Sequence, residues 1–204
     1  MTNRNLRTEG ESLQFATGAA WRAWLEANHD TSSGVWLLIA KKGSATKTVS
    51  YDSAVDEALC FGWIDGQKAK LDDDFYLQRF TRRTKRSPWS KINTERVSRL
   101  MNESRMTDAG VREVELAKAD GRWDRSYAGQ ASAAVPDDLQ AALDASPAAA
   151  ALFAELDRAN RYAILYRIGA VKKPETRARK IAEFVADLAM GKTPHPRKRA
   201  RGDR

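Results

Sequence analysis

The chain has 204 residues, 42% of them apolar and 30% charged, with a formal net charge of +8. Those figures exclude collagen-like and wholly disordered classes and leave room for one compact domain, or for a core domain with a smaller helical one. The charge is uneven: Lys192 to Arg204 holds six basic residues against Asp203 alone, so the body keeps only +3 and is mildly basic.

Residues 1–14 are polar and read as a flexible N-terminus in which only Leu13 and Phe15, just beyond it, are fit to dock. Thr17 predicts the cap of a helix over 18–28, with Trp21, Trp24 and Leu25 on one face. After a turn-rich loop, Val35 to Ala40 is apolar at both alternating positions and predicts a strand buried on both faces. Ser50 predicts a helix from Tyr51 to Phe61, with Asp52 at the favourable end of its dipole. Gly62 stands where a left-handed residue ends a helix. Short strands follow at 63–67 and 75–80, the second favoured by its aromatic residues. From Ser90 onward only helices are predicted: 91–103, then one from the Thr107 cap through Lys118. Further helices start at Pro136, at Ser146-Pro147, at Asp157 and at Pro174, the last closing at Gly191. Strands with helices first and helices alone afterwards predict an α+β fold. It has a small, mostly antiparallel sheet and an all-helical C-terminal subdomain. The expected bounds are 15–123 for the α+β domain, 136–190 for the helical one, and a disordered basic tail over 191–204.

The chain has one cysteine, Cys60, and two histidines, His29 and His195. That set excludes an internal disulfide and a zinc site of Cys and His. No metal and no cofactor are expected. A chain without disulfides suits a reducing compartment. No signal-peptide core precedes residue 11, and the run Val35 to Ala40 is far short of the ~20 residues of a membrane span. A cytoplasmic location without membrane insertion is expected.

One stretch of residues names a family. Trp21 to His29, Gly34 to Leu37 and Lys41-Lys42 open it. Tyr51, Ala54-Val55 and Glu57 to Gly66 form its centre, and Arg79 to Thr81, Arg83, Ser87, Trp89 to Lys91 and Asn93 continue it. Gly110, Ala117-Lys118, Asp120 to Trp123, Pro136, Leu139, Lys172, Glu175 to Arg177 and Arg179 complete it. In these residues the chain resembles the YdeI/OmpD-associated (bacteriocin-protection) family. It departs from that pattern at Thr81-Arg82-Arg83, where the family has a Pro before the first arginine. It departs again at Ser104-Arg105-Met106, where the family has Gly first. The resemblance implies a cytosolic bacterial protein concerned with protection against bacteriocins or stress, and it implies no catalytic residue.

Two constellations carry chemistry. Trp63, Asp65 and Gln67 put a carboxylate on a short strand, where it needs solvent or a partner. Arg79, Arg83, Trp89, Ser90, Lys91 and Asn93 set cations and an aromatic plane around a helix start fit for an anion. The expectation is that both converge on one hollow. It would belong to a non-enzymatic binding protein that holds a small anionic ligand or an acidic protein segment. Two other readings stand beside it. One is non-specific nucleic-acid contact through the basic tail, and the other is a small enzyme with Asp65 as acid or base. Cys60, at the apolar end of its helix, reads as structural, since the dipole there raises a thiol pKa.

Overall fold

The computed structural model describes residues 12–129, 133–171 and 173–196. The readings placed on residues 1–11, on Lys172 and on the tail from Arg197 lie outside the described residues. The fold is α+β: a four-stranded mixed sheet with helices, followed by helices alone. The chain divides into two compact units, one ending at Ser126 and the other starting at Tyr127.

In the first unit, β1 (Ser12–Leu13) pairs parallel with β2 (Val35–Ala40), which pairs antiparallel with β4 (Phe75–Arg82). β3 (Trp63–Lys70) closes the order β1-β2-β4-β3. The pairing of Ser12 and Leu13 draws the end of the segment read as flexible into the sheet, because an unpaired edge of β2 is costly. Val35, Leu37 and Ile39 alternate with Trp36, so β2 is buried on both faces as its sequence predicts. β3 and β4 run longer than their apolar cores, and a bulge interrupts β3 between Asp65 and Lys68. The buried amide of Gln78 serves the bulge. Its Nε2 donates to the carbonyls of Gly66 at 3.0 Å and Gln67 at 3.3 Å, groups the broken ladder leaves without strand partners.

Helix α1 (Gly18–Asn28) starts at Thr17, whose hydroxyl accepts from the N–H of Ala20. Helix α2 (Tyr51–Cys60) starts at Ser50 in the same way, and Gly62 ends it with φ at +72°. Trp21 ties the two together by donating from Nε1 to the carbonyl of Ala54 at 3.1 Å. Trp21, Trp63 and Phe80 are fully enclosed between this helix pair and the sheet. Helix α3 (Lys91–Asn102) is capped by Ser90, and α4 (Asp108–Ala119) by Thr107. Thr107 also donates to the carbonyl of Cys60 at 2.7 Å. A Cβ at Gly110 would lie 2.2 Å from that carbonyl oxygen, so glycine is required for α4 to seat on the end of α2.

The second unit holds α5 (Asp137–Asp144), α6 (Pro147–Glu155), α7 (Arg158–Gly169) and α8 (Pro174–Ala189). Its core is separate: Leu139, Leu143, Phe153, Ile164, Ile168, Ile181 and Leu188 pack on one another. Arg177 fastens it. Its guanidinium donates to both carboxylate oxygens of Asp138 at 2.6 and 2.9 Å and to the carbonyl of Ile168 at 2.9 Å, joining α5, α7 and α8. Among the described residues no helix is long and apolar enough to cross a membrane.

Candidate functional site

The loop from β4 to α3 is built around one stacked pair. Arg83 leaves the sheet, its backbone N–H bonded to the carbonyl of Gly62. Its guanidinium lies 3.5 Å from the centre of the Trp89 ring, and Nη1 donates to the carbonyl of Pro88 at 3.2 Å. Arg83 is only 5% exposed and Trp89 only 2%. Burial removes the competing water, so the cation–π contact is at the strong end of its range. Trp123 packs against Trp89 at 5.0 Å, and Arg122 donates to the carbonyls of Thr84 and Ser87. The loop is therefore held from inside and from both ends. Outward it shows Lys85, Arg86 and, in the first turn of α3, Lys91. The side chains of these three make no hydrogen bond or ion pair among the described residues.

The sequence grouped nine residues, and the structure brings only part of them together. Arg83, Trp89 and Ser90 meet at the loop, with Lys91 and Asn93 in the turn that follows; Asn93 gives its N–H to Ser90 Oγ. Trp63 lies wholly in the core and donates from Nε1 to the carbonyl of His29. Gln67 is exposed at the bulge. Arg79 packs towards Trp36, directly opposite it on β2, with the ring centre 5.7 Å away. Its Nη1 is buried without a hydrogen-bond partner, and burial lowers its pKa. Asp65 accepts from the hydroxyl of Tyr51 at 2.6 Å. Burial, and then this bond to Asp65, pushes the Tyr51 hydroxyl well above the usual tyrosine range. Tyr51 is the first residue of α2, whereas Arg83 is bonded to Gly62 beyond its last. The carboxylate and the arginine loop thus have separate partners, the Tyr51 hydroxyl and the Gly62 carbonyl.

A larger charged feature has no single-residue signal. Along α2, Asp52, Asp56 and Glu57 share a polar face, and arginines from α1, α3 and the turn after α3 close on it. The ion pairs run Glu26–Arg22 (3.4 Å), Arg22–Glu57 (2.9 Å), Glu57–Arg105 (2.6 Å), Arg105–Glu103 (3.0 Å), Glu103–Arg99 (3.0 Å), Arg99–Asp56 (2.6 Å), Asp56–Arg96 (2.8 Å) and Arg96–Asp52. Signs alternate throughout, so each inner charge is flanked by its opposite. Cys60 lies beneath this chain, fully buried. Burial, reinforced by the charge of Glu57, pushes its thiol up in spite of Arg22 and Arg105. Such a thiol is a poor nucleophile. The chain of ion pairs fixes three helices and offers no vacant group for chemistry. Only the composition of α2 hints at it, because its partners are 35 to 48 residues away in sequence.

Comparison with known families divides the chain in two. Residues 132–191 match the family model described as "Bacteriocin-protection, YdeI or OmpD-Associated". Residues 13–113, which include the stretch Ala58 to Gly66 at the centre of the sequence resemblance, match a separate model described as a domain of unknown function (DUF8412). No curated protein and no solved structure matches the chain. The helical C-terminal part of the chain thus matches a domain of the bacteriocin-protection, YdeI or OmpD-associated family, with a domain of unknown function ahead of it.

Proposed function

We propose that this is a non-enzymatic binding protein that engages an acidic segment of a partner protein through the loop between β4 and α3. The observation that carries the reading is the pairing of a rigid interior with a basic exterior. Arg83 and Trp89 hold the loop's shape, and Lys85, Arg86 and Lys91 stand outside it without partners. Cations set on a fixed backbone lose little entropy when an acidic chain docks. Their spread over an exposed loop and a helix start suits an extended acidic chain better than an enclosed small molecule. The family description is of the same kind, naming association with another protein and protection from a protein toxin. Asp65, the group a catalytic reading would use, is engaged by the Tyr51 hydroxyl, and Cys60 is buried with its thiol pKa raised.

A fluorescent oligoglutamate peptide tests the reading by anisotropy. Binding should weaken roughly tenfold or more as salt rises from low to physiological strength. The variant carrying Lys85→Glu, Arg86→Glu and Lys91→Glu should lose it while melting normally, since all three side chains are exposed. Equal binding by that variant would end the proposal.

A further inference from the structure

Helix α7 has two working faces. Ile164, Leu165 and Ile168 enter the core of the helical unit. Ala159, Tyr162, Ala163, Tyr166 and Arg167 recur at the spacing of a second stripe. With His195 they line an open cavity of about 350 Å³, a size at the lower end of small-molecule sites.

The groove is shaped from several directions. The two alanines form a low floor. The rings of Tyr162 and Tyr166 stand 5.8 Å apart beside it, and Tyr127 meets Tyr166 edge-on at 5.3 Å. Tyr162 donates to the carbonyl of Ala128 at 3.4 Å. Burial, followed by the neighbouring tyrosines, raises its pKa and keeps that donor protonated. His195 is brought to the groove by a buried polar anchor. Asn160, 1% exposed, accepts the backbone N–H of His195 at 2.8 Å, and its own amide is held by Asp157. A buried amide committed to a turn after the last helix is costly unless fully bonded, and here it fixes the position of one side chain. The Tyr166 hydroxyl, the Arg167 guanidinium and the His195 ring make no hydrogen bond or ion pair among the described residues.

We propose that this groove binds a flat aromatic group bearing an anionic substituent, the ring against the tyrosines over the alanine floor and the charge towards Arg167 and His195. Tyrosine faces stack planar rings of any identity, small floor residues admit a flat body, and a guanidinium recognises carboxylate and phosphate alike. The α7 residues of the site lie in the family-matched segment, and the site shares no residue with the basic loop of the first unit.

The test is a ¹H–¹⁵N NMR titration of the full chain with adenosine monophosphate, with 3-phenylpropionate, and with uncharged adenosine. Saturable shifts confined to α7 and residues 193–195 are expected from at least one anionic probe. Shifts from the nucleotide alone assign a nucleotide ligand, shifts from the acid alone assign an aromatic carboxylate, and shifts from both assign the shared chemistry. Arg167→Gln should weaken the anionic probe by about tenfold and leave adenosine unaffected, and Tyr166→Ala should weaken all three. Both side chains are exposed, so the variants should retain the wild-type melting curve. Absence of saturable shifts from either anion at millimolar concentration, or binding that neither substitution changes, overturns the proposal.

Discussion

Ser104 has φ of 54°, the one positive value among the described non-glycine residues. It follows the C-cap of α3, and the N–H of Arg105 returns to the carbonyl of Leu100, the geometry of a left-handed helix stop. A residue with a Cβ is strained in this conformation. Ser104→Gly should therefore stabilise the protein by about 1 kcal/mol, read as an upward shift of the urea midpoint. Glu57 is the opposite kind of position. Its carboxylate is 7% exposed as a residue and is shared by Arg22 and Arg105. Glu57→Ala should cost about 3 kcal/mol in urea unfolding, because two guanidinium groups then lose their common counter-charge in a partly buried site. A loss below ~1 kcal/mol would show that both arginines find other partners.

At the scale of elements, the ion-pair chain binds α1, α2 and α3 and gives the fold a pH dependence. Burial pulls the pKa of Asp56 up, but hydrogen bonds from Arg96 and Arg99 outweigh it and hold the carboxyl below its ordinary value. Glu103 is held low by Arg105 and then Arg99. A depressed folded pKa contributes stability above the unfolded value, near 4, and that contribution is lost as pH falls through the folded one. Urea midpoints should hence drop between about pH 5 and about pH 3, and Asp56→Asn should show a smaller drop than the wild type. Parallel curves for the two proteins would remove Asp56 from the acid response. The elements themselves were readable because their signals are local. Thr17, Ser50, Ser90 and Thr107 each cap the helix they were predicted to start, since a cap acts three residues away. The extension of β3 to Lys70 was not readable, because the bulge after Asp65 is sustained by Gln78 from another strand.

For the whole molecule, each unit has its own set of buried apolar side chains. A cavity in one core should then leave the other core's opening energetics unchanged. Ile164→Ala should cost about 3 kcal/mol in the helical unit, speeding amide exchange in α5 to α8 while protection in α2 and β2 stays as in the wild type. Faster exchange across both units would reveal one cooperative structure. The sequence by itself determined the α+β class, the order of elements from α1 onward, the two-sided burial of β2 and the structural character of Cys60. All follow from periodicity, caps and composition, whose physics acts within a few residues. The tertiary structure alone decided the partners: Asp65 with Tyr51, Arg83 with Trp89, and Glu57 with arginines on either side of it in sequence. Those pairings depend on which helix ends meet which strand ends, and tertiary packing decides that beyond the reach of local sequence signals.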